Sequence, residues 1–368
     1  MIRLPESERI LLGPGPSMVS PRVMRAMAAP VLSHLDADLM AMMDQMRGQL
    51  ERCFRAPAGS FAFAVSGTGT SAMETAVANL VGDRTRVLAL VGGYFAERLA
   101  GMCQRYGAQV TRLDYEWGRA VDPDAVSRAL RDRPADIVTV VHAETSTGVL
   151  NPVEQVAAIA REQGAMVIVD AVTSLGGHPL EVEQWGIDAC YSCAQKCIGA
   201  PSGIAPIVFS PAALERRVKA RSFSFDLTLL EDYWLRRKYH HTMCASLIYA
   251  LREALLMVEE EGLEARWTRH RDHHRALVDG LDRLGLSLLP PEAERLWTLN
   301  AVRVPDGVDE AAVRKRMLQQ FNIELGAGLG PLAGTIWRVG LMGASSTPGI
   351  IQLLLGALES VLGDEQKA

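Results

Sequence analysis

The sequence predicts an α/β protein: a mainly parallel sheet sandwiched by helices, with a smaller C-terminal α+β unit. Three observations carry this expectation. From residue 60 to about 210, short apolar runs alternate with stretches of helical period, at the spacing that crossover connections between parallel strands require. Some runs, such as MVIV at 166–169, are apolar without alternation, as strands buried on both faces are. Past residue 225 the pattern changes to long helices and then two separated strands.

Along the chain, LLGPGPSMVSP at 11–21 is dense in Gly and Pro and reads as an ordered irregular arm. Strands are expected at FAFAVS (61–66), RVLALV (86–91), DIVTVV (136–141), MVIVD (166–170), IDACYS (187–192) and IAPIVF (204–209). Helices fill the gaps at 70–81, 95–106, 122–130 and 152–163. Leu247, Ile248, Leu251, Leu255 and Val258 then mark a helix that stops at the acidic run before Gly262, and a long basic helix follows to about Leu284. The strand TLNAVRV (298–304), a helix near 309–319, the strand TIWRVGL (335–341) and a last helix with Thr347 as cap and Pro348 in its first turn complete the chain. The expected division is 1–260, the arm plus a large domain, and 261–368, a small C-terminal domain.

The composition bounds the function. The 368 residues are 48% apolar and 22% charged, which excludes a disordered, collagenous or coiled-coil chain. Lys plus Arg total 38 against 43 Asp plus Glu, a net charge of −5, and no long basic stretch offers nucleic acid a footprint. No apolar run approaches the roughly eighteen residues of a membrane span, and MIRLPESERI lacks a signal peptide's hydrophobic stretch. A cytoplasmic protein acting on small molecules is expected.

In such a sheet ligands gather beyond the carboxyl ends of the strands. After the first run, Ser66 to Ser71 (SGTGTS) precede a helix, so the turn presents N–H groups and hydroxyls suited to phosphate, although a plain strand-to-helix turn has the same look. Asp170 ends MVIVD, where a buried carboxylate needs a partner; a cationic ring nitrogen, the backbone or an arginine would each serve. Lys196 follows a strand in YSCAQKCIGAPSG, and by itself reads first as a surface lysine, with an imine-forming nucleophile as the alternative. Together the three meet the separate demands of pyridoxal 5'-phosphate: anion binding, protonation of the pyridine nitrogen and anchoring of the aldehyde.

Seven blocks then stand in order: LLGPGPS (11–17), SGTGTSAME (66–74), ETSTGVLNP (144–152), VDAVTSLGG (169–177), YSCAQK (191–196), YHHT (239–242) and WRVGLMG (337–343). In them the chain resembles the fold-type I, class V aminotransferases, specifically the alanine–glyoxylate and serine–glyoxylate group. The resemblance implies pyridoxal phosphate held by Lys196 as an imine, with Asp170 on its ring nitrogen and Thr145 near its phenolic oxygen. It puts Thr68, Gly69, Thr70 and Gln195 on the phosphate and Phe95 on the ring face, with Tyr94 as the alternative aromatic. It implies a homodimer in which Tyr239 and Thr242 reach the other subunit's phosphate, and it makes Arg338 the ligand of the substrate carboxylate. The implied reaction is ping-pong transfer of an amino group from a small amino acid such as alanine or serine to a small 2-oxo acid such as glyoxylate or pyruvate. Three departures are small: PSG at 201–203 stands where PPG is common, Thr70 replaces other polar residues, and Thr145 replaces a frequent Ser.

Competing readings are weighed on the same residues. Ureidoglycine–glyoxylate and pyridoxamine–pyruvate aminotransferases belong to the same class. A cysteine desulfurase would need His before the lysine and a C-terminal catalytic Cys, but Gln195 stands there and the last cysteine is Cys244. A nicotinamide-dependent Rossmann oxidoreductase would need a Gly-x-Gly-x-x-Gly turn, which SGTGTSAME lacks. Cys190 reads as core, whereas Cys193 and Cys197 flank Lys196 and would be oxidisable if exposed. RHRDHHR at 269–275 reads as a solvated basic helix rather than a metal pair at His270 and His274. His240 and His241 read as positioning or dimer-contact residues, and Trp337 as packing.

Overall fold

A computed structural model describes residues 8–365. The apolar runs pair into one seven-stranded sheet, in spatial order Phe61–Gly67, Gly203–Phe209, Ala189–Tyr191, Met166–Asp170, Ile137–Val141, Arg86–Val91 and Gln109–Asp114. All neighbours pair in parallel except at Gly203–Phe209, which runs antiparallel to the strands on both its sides. Ile137–Val141 and Met166–Asp170 are buried at every position, as their apolar sequences, interrupted only by Thr139 and ended by Asp170, require. The connecting helices Gly69–Leu80, Tyr94–Arg105 and Val153–Glu162 pack on the sheet, so its carboxyl edge and the helix N-termini face one region.

Among the elements that escape the sequence reading, two show why. Gln109–Asp114 is an edge strand whose alternating exposed and half-buried residues include Arg112 and Asp114, so it lacks the apolar signal of the inner strands. The helix Ala37–Phe54 is capped by Asp36 and buries Leu39, Met40, Met43, Met46 and Leu50 against the helix Ala245–Glu261.

A second apolar cluster contains Leu277, Leu281, Val302, Val313, Met317, Trp337, Val339 and Leu354. It lies around a small antiparallel sheet of Leu299–Arg303, Ile336–Gly340 and Gly326–Ala327. Trp337 packs there, its indole N–H donating to the Glu310 carbonyl at 3.1 Å. The arm joins this cluster as well: Ile10–Leu11 pairs in parallel with Ile323–Glu324, and Leu12 is buried in the second core. The helix carrying RHRDHHR, Leu263–Arg283, corrects one expectation, because His270 and His274 are buried rather than solvated.

The arm crosses the Arg338 strand where both chains are nearly bare. The Gly340 N–H donates to the Leu12 carbonyl at 2.8 Å, and a Cβ at Gly340 would strike the Gly13 carbonyl oxygen. Gly340→Ala should therefore push the arm off the strand and lower stability by about 1–3 kcal/mol, the usual range for overpacking. Limited proteolysis should then cut within 10–17 faster than in the wild type, whereas equal cutting rates would show that the crossing tolerates the methyl group.

Candidate active site

At the carboxyl edge of the sheet, Phe61–Gly67 turns at Gly67, whose φ of +131° lies where a side chain is disfavoured. Thr68 caps the helix Gly69–Leu80 in extended backbone, and its hydroxyl makes no capping bond, so the first-turn N–H groups are not satisfied by it. Thr70 Oγ1 accepts a hydrogen bond from Arg98 at 3.1 Å. The same guanidinium lies 5.2 Å from the Phe95 ring centre and 5.3 Å from that of Tyr94. Sequence reasoning passes over Arg98, although its i+3 and i+4 spacing from the two aromatics is a usable signal. Phe95 is half-buried and packs on Ala89, Val91 and Ala96, while Tyr94 is 41% exposed.

Asp170 ends its strand buried, as a strand-end carboxylate in the core must be. Its Oδ1 accepts the Val172 N–H at 2.9 Å and its Oδ2 the Tyr191 hydroxyl at 3.0 Å. Burial pushes its pKa up to about 7, the charge of Glu144 acts in the same sense, and Lys196 opposes. Tyr191 is a site residue that the sequence reading treats only as strand.

Lys196 lies in the loop after Ala189–Tyr191, with its Nζ donating to the Pro14 carbonyl. The arm is fitted to it: a Cβ at Gly15 would sit 2.6 Å from Nζ, and Ser17 donates its hydroxyl to the Lys196 carbonyl at 2.8 Å. Burial lowers the Lys196 pKa below the ordinary lysine value, and the Arg338 charge works in the same direction. Beside it, Gln195 Oε1 is buried without a hydrogen-bond partner. Cys193 and Cys197 are fully buried, and burial pushes their thiols up to about 12 and about 11, so the condition for ready oxidation is not met. Cys190 is core.

From the small sheet, Arg338 enters the same region buried. Its Nε donates to the Ala327 carbonyl at 2.6 Å and Nη1 to the Thr145 carbonyl at 3.4 Å. Burial lowers its pKa to about 10. Among the described residues no carboxylate lies in ion-pair contact with it. Thr145 Oγ1 is 2.5 Å from Thr173 Oγ1 in a buried hydroxyl pair. The neighbouring Glu144 is a buried carboxylate that accepts from the backbone of Phe95, Ala96 and Ser146 and from the Ser146 hydroxyl. It thereby ties the Thr145 hairpin to the start of the Phe95 helix, and Gly93 is bare because a Cβ would overlap the carboxyl group.

One chain thus gathers Thr68, Gly69, Thr70, Phe95, Thr145, Asp170, Gln195, Lys196 and Arg338 along the sheet edge and its facing loops. Tyr239 and Thr242 are exposed on the segment that follows the helix Leu227–Arg236. Tyr239 is 62% exposed with its ring edge-on to His34, and His241 links the segment to the turn through Ser66 at 3.0 Å.

The model of the aminotransferase class V family matches residues 10–337. The chain belongs to the class V aminotransferases. It is 36% identical to the (S)-ureidoglycine–glyoxylate transaminase of Bacillus subtilis, over 96% of this chain and 90% of that protein. It is 34% identical to an alanine–glyoxylate aminotransferase of Drosophila melanogaster, over 96% and 92%. Among solved structures, alanine–glyoxylate aminotransferase from Nostoc sp. superposes with a TM-score of 0.94 at 43% identity, covering 98% of both chains. Pyridoxamine–pyruvate aminotransferase from Mesorhizobium loti gives 0.93 at 28% identity, covering 99% of this chain and 95% of the other. A cysteine desulfurase from Thermococcus onnurineus shares the fold at 14% identity. The chain is therefore an aminotransferase acting on amino and oxo acids, with the α/β architecture that its sequence predicts.

The Asp170 environment has a thermodynamic signature in the protein without its cofactor. A carboxyl with a pKa near 7 when folded and near its ordinary value of 3.8 when unfolded favours folding at low pH, and this contribution is lost as pH rises through about 7. Asn cannot ionise. Between about pH 5.5 and about pH 8 the wild type should lose about 2 kcal/mol relative to Asp170→Asn, read from denaturant unfolding of cofactor-free protein. A difference independent of pH would mean that Asp170 is not held in a charge-disfavouring site.

Proposed function

We propose that this aminotransferase uses pyridoxal 5'-phosphate to move an amino group from a small amino acid, such as alanine or serine, to glyoxylate or pyruvate by ping-pong transamination. The observation that carries the reading is the convergence of the charge-disfavoured Lys196 amine, the buried Asp170 and an Arg338 without a carboxylate partner. The unpartnered Gln195 Oε1 and the uncapped turn at Thr68 supply polar groups that still need a ligand. Such a donor set fits pyridoxal phosphate.

When bound, the cofactor supplies an electron sink that makes the amino acid's Cα proton acidic. Thr68, Gly69, Thr70 and Gln195 would hold the phosphate, Phe95 would cover the ring and Thr145 would face its phenolic oxygen. Asp170 would keep the ring nitrogen protonated, and that cation would in turn favour the ionised carboxylate. Lys196 Nζ would anchor the aldehyde until the substrate's amine displaces it, and the freed lysine amine would then carry the proton from the substrate's Cα to the cofactor, and from the cofactor back to Cα of the oxo acid in the second half-reaction. Its lowered pKa raises the share of neutral amine able to act as a base. Arg338 binds the substrate carboxylate, offering an unpaired guanidinium face.

The names of the relatives, which share glyoxylate as acceptor, support the small oxo acid. They also favour a second reading of the donor, (S)-ureidoglycine, because the Bacillus subtilis enzyme of that name is so similar. Single-turnover spectra with alanine, serine and ureidoglycine as donors, then glyoxylate and pyruvate as acceptors, separate the two. Colourless protein that neither binds the cofactor nor transfers an amino group would defeat both. Arg338→Ala should raise the half-saturating concentration of the productive donor about 30-fold, as loss of a charge-assisted bond of about 2 kcal/mol implies, with cofactor absorption retained. An unchanged half-saturation would return Arg338 to a structural role.

The reading extends to a cytoplasmic homodimer in which Tyr239 and Thr242 serve the partner's phosphate, with 1–260 as the cofactor-holding domain and 261–368 as the smaller one. The exposure of Tyr239 supports this sharing, and no described helix is long and apolar enough to cross a membrane. Co-assembling Lys196→Ala chains with Tyr239→Ala, Thr242→Ala chains, each defective alone, should regenerate one intact site per mixed dimer. Recovered activity would support sharing, and none, once mixed dimers are isolated, would place both residues on their own chain's site.

A further inference from the structure

The helix Leu263–Arg283 presents a row of basic side chains at i, i+3, i+4, i+7 and i+8 that the proposed reaction does not use: Arg266, Arg269, His270, His273 and His274. Each is tied to a loop or strand that carries a site residue. Arg266 is buried and donates to the Cys197 carbonyl at 2.6 Å, one residue after Lys196, while its other terminal nitrogen meets Glu261 at 2.5 Å. Arg269 shares Glu261 and donates to the carbonyls of Gly343 at 3.2 Å and Ser346 at 2.9 Å, in the turn after the Arg338 strand. His270 Nε2 accepts the Gly343 N–H at 3.2 Å, which leaves Nδ1 to donate to the Arg266 carbonyl at 2.8 Å. His274 reaches Asn300 at 2.6 Å, and Asn300 donates to the Val339 carbonyl beside Arg338.

The two segments so held also touch each other. A Cβ on Gly343 would lie 3.2 Å from the Cys197 carbonyl oxygen and 3.5 Å from that of Lys196. A cleft of about 410 Å³, lined in part by Ile198, Gly199, Arg266, Arg269 and Gly343, lies behind this contact, so the segments are not backed by a continuous apolar core. The Lys196 loop and the Arg338 turn are thus referenced to one helix face.

Resting on the transamination reading above, we propose that Arg266 is a positioning residue for Lys196: by fixing the Cys197 carbonyl against the helix, it sets where the lysine amine stands relative to Arg338. A guanidinium suits the task because its planar fork joins Glu261 and the carbonyl in one rigid unit. Glu261 remains paired with Arg269 when Arg266 is removed, so truncation leaves no orphaned carboxylate.

The test compares Arg266→Ala, Arg266→Lys and the wild type in two ways. In cofactor-loaded enzyme, Arg266→Ala should slow the single-turnover half-reaction about 10- to 100-fold, the range for a misplacement near 1 Å, while donor half-saturation stays within about 2-fold. Arg266→Lys should recover part of the rate. In cofactor-free enzyme, the pH dependence of acylation at Lys196, followed by peptide mass spectrometry, should move upward by about half a unit or more in Arg266→Ala, because a loosened amine gains solvation. An Arg266→Ala protein with wild-type turnover and an unmoved acylation midpoint would overturn the proposal. Should that variant not fold, Glu261→Gln, which loosens Arg266 without removing it, should change both readouts in the same direction by about 3-fold and a few tenths of a unit. No change in either would equally overturn it. Wild-type protein that neither binds pyridoxal phosphate nor transaminates would defeat the functional reading alone, since the acylation midpoint decides the role of Arg266 without the cofactor.

Discussion

Burying the Lys196 amine strips away the hydration that an ammonium needs, and the protein returns only a few acceptors in its place. The Pro14 carbonyl is one, and Asp170 acts from farther off, while Arg338 brings a like charge nearby. The balance shifts Lys196 toward the neutral amine, which is the nucleophilic form. Much of the architecture serves to keep that balance. The arm closes over the amine with a glycine where no side chain fits, Ser17 pins the lysine's own carbonyl, and the cysteines on either side are inert packing.

The other buried charges obey the same logic. Asp170 is satisfied by a backbone N–H and the Tyr191 hydroxyl instead of a cation, so a positive ligand would draw its ionisation to lower pH. Glu144 is satisfied by backbone donors at the start of a helix, where a carboxylate is stabilised by the helix dipole. Arg338 is held by two carbonyls, which orient a guanidinium without neutralising it. Each group is fixed in direction but left short of a full countercharge. Such a pocket is less stable than a paired one and better prepared for charged ligands.

The inner sheet was legible in the sequence because strands buried on both faces must be continuously apolar, and its helices because they alternate with those strands. The edge strand Gln109–Asp114 was not, since an exposed edge carries charge. Lys196, Asp170 and Arg338 could be named because each lies within a recognisable block, and the structure sets both Asp170 and Arg338 within electrostatic reach of Lys196. Arg98, Tyr191 and Thr173 escaped notice because their contacts join residues brought together only by folding. The histidines after Arg269 misled for a related reason: a basic run looks solvated until the carbonyls and Asn300 that receive it are known.

The pairing of Ile10–Leu11 with Ile323–Glu324 joins nearly the first described residues to nearly the last strands. Contacts so distant in sequence form late, because the intervening chain must be ordered before they become favourable. During synthesis from the ribosome, the segment carrying Pro14 and Gly15 has no strand to lie on until the residues near 323–340 have emerged. The lysine loop can therefore be made, and even collapse onto its sheet, well before its covering exists. Until then the lysine amine is uncovered on the side that Pro14 and Gly15 occupy in the finished fold.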